Sequence, residues 1–389
     1  MQSTVILDLI GAAVAEVAEG TTPVPPLVEA FACIPDPRRR QGRRYPLSFL
    51  LGALVLALLC NCDTLEAVGQ WCAEHRDLLA THFPTQRFHT PTGSLYRRLL
   101  PRLSVAHLEA ALAVWVQGSL AAGADEAVAW DGKALRGAGA EDNAAPHLLS
   151  VSTHLSGETL LQVRVAEKTN EIPVARAVLP ALPVAGRVVT ADALHTCAQT
   201  AQALLEQEAD YLLVVKGNQP TLYAECAAYF SDPLARVGRA TTVDRRRGRT
   251  ETRTLYATTH LNAHLTRYSA FPRIAQVACL LATTQDRRGT HRDVRFLLTS
   301  LTPQQAAPAR LLALARGHWS IESRHFVRDV TFGEDRSSLR AGDAPQFLAA
   351  LRNLVHTLLR RSGASAIAAA RRSFSYHPAR ALPLLLAVP

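Results

Sequence analysis

Up to about residue 125, apolar residues recur at the spacing of amphipathic helices, and the runs stop at Pro23–Pro26, Pro35–Pro37, Pro84 and Pro91. That pattern predicts an all-helical N-terminal region. Its most apolar run, Leu47 to Cys60, has about 14 residues, short of the roughly 20 that a membrane-crossing helix needs, and predicts a core helix. Beyond about residue 126 the period changes to that of strands, in AVAWD, HLLSVSTHL and ETLLQVRVAE, then RVVTAD and YLLVVKG. Helical stretches, EIPVARAVLPAL and TCAQTAQALLEQEA, lie between the later runs.

Three strands in succession, followed by helix–strand–helix–strand, predict an α/β fold with a mixed sheet. An antiparallel meander would be joined to parallel strands through helical crossovers, the element order of an RNase H-like core. Residues 240–303 turn β-rich again, with TRTLYATTH, IAQVACLLATT and DVRFLLTSL, and hold two basic hairpin-like stretches, Asp244 to Arg253 and Asp286 to Arg295. They are expected to form an insertion into the core. A long helical segment starts at Pro308, and a helical tail, 344–389, carries six arginines and no acid.

Hydrophobic residues make up 48% of the 389 residues and charged ones 19%, enough for a large core and unlike a disordered chain. Lys and Arg number 42 against 33 acids, a net charge of +9. The excess is overwhelmingly Arg, whose planar guanidinium suits phosphate. A GC-rich genome also raises Arg and Ala together, so composition leaves nucleic-acid binding open. The seven cysteines form no pair of Cys-x-x-Cys knuckles, which speaks against structural zinc. Their odd number, and an N-terminus that carries Asp8, Glu16 and Glu19 in place of a basic leader, predict a cytoplasmic protein. In IPDPRRRQGRRYPL, Arg38, Arg39, Arg40, Arg43 and Arg44 stand against one acid, Asp36. Such a run is a solvated loop or, just before a helix, a phosphate clamp.

Phosphodiester chemistry needs hard cations held by a few carboxylates on rigid elements. Three acids are candidates. Asp131 closes the run AVAWD and precedes Gly132 and Lys133; an Asp-Gly turn is the competing reading. Asp192 ends RVVTAD, where it is either a plain helix N-cap or a ligand at the carboxyl end of a parallel strand. Glu322 lies in RGHWSIESRHFVRDV, which as one helix puts Trp319, Phe326 and Val330 on an apolar stripe. Its neighbours three and four residues away are His318, Trp319, His325 and Phe326, not the bases a surface ion pair would want. Lys216, in VVKGNQ, ends another strand and is either a phosphate ligand or part of a turn.

Taken in order, IPDPRRRQGRRYPL, AWDGKALRG, EKTNEIPVA, VTADALHT, YLLVVKGNQPTL and HWSIESRHFVRDVTFGEDRSSLR resemble the insertion-sequence transposases of the ISAs type, the H-repeat-associated branch of the DDE superfamily. The resemblance implies an RNase H-like catalytic domain over 126–389, preceded by a helical DNA-binding region over 1–125. It implies that Asp131, Asp192 and Glu322 are the catalytic, metal-holding acids, with two Mg²⁺ ions for which Mn²⁺ can substitute. The implied reaction is cleavage of DNA at transposon ends, then attack of the freed 3′-hydroxyl on target DNA. Pairing two ends implies at least a dimer on DNA, in the nucleoid and away from membranes. Lys133, Lys216 and His318 join the arginine run as expected DNA contacts.

The second motif departs from the family: His195 stands for the usual glycine and Cys197 for the usual glutamine. Where related groups carry a lysine after the glutamate, this chain has Asp329. On a straight helix Glu322 and Asp329 would share a face about 10 Å apart; Glu322 is the expected ligand, and Asp329 is expected to pair with Arg324 or Arg336. Two other functions fit the same residues: a nuclease that cuts without joining, and an inactive, transposase-derived DNA-binding protein.

Overall fold

The computed structural model describes residues 8–10, 24–83, 88–120, 127–139, 145–165, 171–246, 248–337 and 339–388. Of the residues singled out above, Glu16, Glu19, Pro23, Pro84, Arg247 and the first part of EKTNEIPVA, 167–170, lie outside them. The helices of seven residues or more are α1 Leu47–Leu59, α2 Leu65–Glu74, α3 Arg76–His82, α4 Gly93–Leu99, α5 Val105–Gly118, α6 Glu171–Val178, α7 Ala198–Glu206, α8 Pro220–Ser231, α9 Asn262–Tyr268, α10 Pro308–His318, α11 Ser320–Phe326, α12 Ala344–Arg361 and α13 Ile367–Tyr376. The strands are β1 Val128–Ala134, β2 His147–Thr153, β3 Thr159–Val165, β4 Val188–Ala191, β5 Asp210–Val215, β6 Gly238–Arg246, β7 Arg249–Thr258, β8 Gln276–Asp286 and β9 Gly289–Thr299.

The chain forms two compact units: 1–124 with 132–170 and 322–389, and 125–131 with 171–321. It passes between them inside β1, after Asp131, and inside α11, after Ile321.

In the first unit the apolar run behaves as expected of a core helix. Every residue of α1 except Ser48 is buried, and the helix packs on α2, α12 and α13. Together with the turn before it, α1 forms a stretch, 40–59, whose length and composition would allow it to cross a membrane, and 72% of its most apolar window is buried inside the fold. Thr64 and Thr92 cap α2 and α4 through the amides of Ala67 and Leu95, at 3.1 and 3.3 Å. A Cβ on Gly69 would lie 2.4 Å from the Gly93 nitrogen, so this glycine lets α2 and α4 touch backbone to backbone. β2 and β3 form an antiparallel hairpin, β2 stands next to β1 in strand order, and β3 packs on α5 and α12.

The basic tail is not a solvated arm. All but the last two residues of α12 are buried. Arg371 of α13 has no exposed surface and donates to the Leu58 carbonyl at 2.9 and 3.0 Å, the Thr331 carbonyl at 2.6 Å and Asp63 at 2.6 Å. Its guanidinium also lies 4.3 Å from the Phe332 ring centre. Arginine runs here serve packing, because each guanidinium can satisfy several buried carbonyls at once.

In the second unit β4 lies parallel between β1 and β5. β9 adds antiparallel to β5, and β8, β7 and β6 follow as a meander. The β-rich stretch therefore extends the sheet at its β5 edge. Leu255, Leu280 and Leu297 of the meander share one core cluster with Val188 of β4, Leu212 of β5 and Leu311 and Leu312 of α10. Gly248 turns β6 into β7 at φ +76°, a conformation that glycine adopts without cost.

A buried polar relay crosses the first unit. Gln162 of β3 donates to Glu109 of α5 at 2.9 Å and accepts from Asn353 of α12 at 2.7 Å. Burial pushes the Glu109 carboxyl up to about 8, against the smaller opposing pull of its Gln162 hydrogen bond. A carboxyl raised in this way stabilises the fold fully below its unfolded pKa, near 4.3, and that stability is lost as pH rises through its folded value. We expect Glu109→Gln to remove this dependence, so that its melting temperature gains on that of the parent chain as pH rises from 5 to 8. Thermal melts at both pH values check it, and parallel curves would show that Glu109 is ionised in the fold.

Candidate active site

Trp130 of β1 lies opposite Ala191 of β4 in the parallel register. The next residue on each strand is an expected acid, Asp131 and Asp192, both half-buried. The two carboxylates thus leave neighbouring strands, about 4.8 Å apart, at the carboxyl edge where open α/β sheets place ligands. β1 runs on through Gly132 and Lys133 to Ala134, so Asp131 does not sit in an Asp-Gly hairpin turn. Asp192 shows the cap, and it also stands at the carboxyl end of a parallel strand. It follows β4, and its Oδ1 accepts from the Leu194 amide at 3.0 Å, capping the short 3-10 turn Ala193–His195. Its Oδ2 has no hydrogen-bond partner among the described residues.

The turn after Asp192 is clamped by residues that the sequence reading passed over. Asn218 donates to the Ala193 carbonyl at 2.5 Å, and Gln219 to the Thr196 carbonyl at 3.0 Å. Thr196 donates to the Val214 carbonyl at 2.6 Å. The signal was present in VVKGNQ: two amides directly after a strand, where side chains commonly satisfy loop carbonyls. Lys216, singled out there instead, is exposed.

The departures at the second motif acquire a physical role. His195 is completely buried; its Nε2 lies 3.0 Å from Glu171 Oε2, and its ring meets the Trp130 ring edge-on at 5.9 Å. Cys197 places its sulfur 3.2 Å from the Thr200 hydroxyl at the start of α7. His318 is buried, with Nδ1 3.0 Å from the Thr190 hydroxyl of β4; it braces the strand that ends on Asp192 and is not presented to phosphate.

The acids of the first unit separate by their partners. Lys133 Nζ is 2.6 Å from Asp329 Oδ1, with only 7% of the lysine side chain exposed. Asp329 does pair with a base, but the base is Lys133 and not Arg324 or Arg336, and Lys133 is thereby withdrawn from the expected DNA contacts. Arg328 holds Glu334 with two hydrogen bonds, at 2.8 and 2.9 Å. Burial would raise that carboxyl, yet the charges of Arg328 and Arg352 and the Arg328 hydrogen bonds keep it below the usual glutamate range. Glu322, in the first turn of α11, is exposed and has no hydrogen bond or ion pair among the described residues.

The expected single helix around Glu322 is broken. α10 ends at His318, with Trp319 as its cap, α11 covers Ser320–Phe326, and a π-helical stretch runs from Val327 to Thr331. Phe326 and Val330 are 64% and 53% exposed, so the apolar stripe does not form. A π turn is wider than an α turn, so residues seven apart no longer share a face. Burial, then the charges of Arg328, Lys133 and Arg324, push His325 down to about 3, which leaves it uncharged near neutrality.

The arginine run divides as well. Arg38 is buried on Asp36, at 2.7 Å, and on the Tyr45 carbonyl, at 2.7 Å. Arg43 donates to the carbonyls of Arg38 and Asp36 at 2.9 and 3.0 Å. These two arginines hold their own loop, although Arg43 stays exposed, as do Arg39, Arg40 and Arg44.

Among the described residues no group of three or more His, Cys, Asp or Glu stands close enough to hold a metal ion. The pair that the strands do assemble, Asp131 and Asp192, offers only oxygen donors, the kind hard divalent cations take.

A family profile described as "Transposase DDE domain" matches residues 123–358, and one described as "DDE_Tnp_1-associated" matches 28–116. YncI of Escherichia coli O157:H7 is 24% identical over 348 residues, covering 86% of this chain and 87% of that protein. The H repeat-associated protein YhhI of E. coli K12 is 23% identical over 348 residues, covering 86% and 90%. Both carry the word transposase in their names. A piggyBac transposase in a synaptic complex with hairpin DNA superposes with a TM-score of 0.44 at 11% identity, covering 98% of this chain and 77% of its own. Catalysis by a DDE domain depends on divalent metal ions, and the profile spans both expected aspartates and the expected glutamate. The chain belongs to the family of transposases with a DDE domain.

Proposed function

We propose that this transposase cuts DNA at insertion-sequence ends and joins the freed 3′-hydroxyl ends to target DNA, with Asp131, Asp192 and Glu322 as its catalytic acids. The observation that carries the proposal is the register of β1 and β4, which sets Asp131 beside Asp192. We read β2, β3, β1, β4 and β5 as an RNase H-like core within a catalytic domain spanning 126–389, β6–β9 as its insertion, and 1–125 as the DNA-binding region. Glu322 takes the third place by its motif, and two acids near it in sequence are engaged elsewhere, Asp329 by Lys133 and Glu334 by Arg328. A carboxylate-only set fits Mg²⁺, with Mn²⁺ as substitute, and two bound ions would activate the attacking oxygen and stabilise the leaving one. Asn218, Gln219 and Thr196 fix the turn behind Asp192, so that its free oxygen is held in place before substrate arrives. Arg39, Arg40, Arg44 and Lys216 are the bases left to meet phosphate. The enzyme acts on the nucleoid in the cytoplasm, and as at least a dimer when it holds two ends.

Asp131→Asn, Asp192→Asn and Glu322→Gln should each reduce cleavage, and joining of pre-cleaved ends, to the level without protein, while DNA binding persists. EDTA should do the same to the parent chain, with Mg²⁺ or Mn²⁺ restoring it. Wild-type cleavage by Asp131→Asn would remove the assignment, and cleavage without joining by the parent chain would make it a nuclease.

Asp329→Asn should act differently, because it strands the buried Lys133 charge. A loss of stability on the order of 3 kcal/mol is expected, seen as a lowered melting temperature that Glu322→Gln does not share. A fully stable but inactive Asp329→Asn beside an active Glu322→Gln would reverse the two roles.

For the arginine run, Arg39→Gln with Arg40→Gln should flatten the salt dependence of duplex binding by about 0.9 in slope per lost contact. Arg38→Gln should instead lower stability. Binding isotherms over a salt series, together with melts, separate the two effects.

A further inference from the structure

The two basic hairpins of β6–β9 form a ribbon whose outer part leaves the core: no described residue of 238–253 or 281–295 is buried. Strand register sorts its side chains onto two faces. Asp244 lies opposite Glu251 and Ala282 opposite Asp293; with Asp286 these put all four acids of the ribbon on one face. That face is also where its charges are matched. Arg253 holds Asp244 and Glu251, each at 2.7 Å, Arg316 of α10 reaches Asp244 at 2.8 Å, and Arg295 binds Asp293 at 2.7 Å.

The opposite face carries no acid. Arg245 of β6 and Arg292 of β9 flank a field of short polar side chains, Thr250, Thr252, Thr283, Gln285 and Thr290, with Val243 and Val294 exposed among them. Arg287 and Arg288 form the β8–β9 turn. None of these four arginine side chains has a hydrogen bond or ion pair among the described residues. Three strand spacings separate β6 from β9, about 14 Å, close to the width of a duplex major groove, about 12 Å.

We propose that this acid-free face and the Arg287–Arg288 turn form a second DNA surface, which lies along duplex backbone and is separate from the acids that do the chemistry. The inference rests on the reading of the chain as a DNA-processing enzyme. Its argument is charge complementarity: unpaired guanidinium groups at the corners and tip suit phosphates, hydroxyl and amide donors between them suit phosphate and sugar oxygens, and no carboxylate opposes the approach. Segregating the acids onto the face packed by α10 removes the one repulsion that a mixed ribbon would have.

The test uses the full chain and a fluorescein-labelled random-sequence duplex, titrated by anisotropy across salt. Arg245→Gln with Arg292→Gln, and separately Arg287→Gln with Arg288→Gln, should each lower the slope of log affinity against log salt by about 1.8. Arg246→Gln with Arg249→Gln removes the same charge from the acid-bearing face and should leave the slope unchanged. All variants sit on exposed positions and should melt with the parent chain. Unchanged slopes in the first two pairs, or an equal fall in the third, overturn the proposal. Concentration-dependent self-association without DNA, lost in Arg245→Gln with Arg292→Gln, would assign the face to a second copy and overturn it too. A parent chain with no salt-dependent duplex binding would instead overturn the functional reading beneath it.

Discussion

Parallel pairing is the constraint from which the geometry of the second unit follows. Two parallel strands cannot be joined by a tight turn, so β4 reaches β5 only by way of α7. The strands therefore point to the same edge, where Asp131 follows the last paired residue of β1, Asp192 follows β4 and the Lys216–Gln219 turn follows β5. The hydrogen bonds from Asn218 and Gln219 to the turn after Asp192 convert that gathering into a fixed arrangement. The antiparallel meander β9–β6 adds to β5 without adding to this edge, which frees its outer part to do something else.

The sequence made the strands legible because their Val, Leu and Ala runs are short and bounded, and Asp131 and Asp192 were legible because each closes such a run. Asp192 shows that a cap need not exhaust a carboxylate, since capping uses one oxygen and leaves the other. What could not be read were pairings between distant positions. Lys133 and Asp329 meet at a separation of 196 residues, and neither position's neighbours in sequence announce the other. Arg38 and Arg371 belong to runs whose composition suggests solvent or phosphate, yet each guanidinium finds an acid and backbone carbonyls inside the fold. The break at Trp319 and the π-helical stretch after Phe326 were hidden for a different reason: periodicity assumes regular helix, and no proline or glycine stands at Trp319 or within Val327–Thr331.

The first unit buries an unusual density of charge. Arg328 and Glu334 are each 3% exposed, and Arg352, at 2%, lies 3.9 Å from Glu334. Burying ions is costly, and such pairs are poor sources of net stability, but removing one partner costs about 3–5 kcal/mol. The GEDR segment is accordingly structural in this chain, whatever chemistry stands near it in sequence. Glu334 is held by its arginines, whereas Glu322 is an exposed carboxylate in the first turn of α11.

His195 and Glu171 constrain how this sequence can change. The imidazole occupies a position where the family pattern has glycine, it has no exposed surface, and one ring nitrogen faces the Glu171 carboxylate. The histidine is therefore compatible only with a background that already supplies the acid and the space beside Trp130. Loss of Glu171 alone would strand an imidazole in the core, while loss of His195 alone would leave a cavity beside Trp130. The two positions are therefore coupled, and replacing both together should cost less than the sum of the two single replacements.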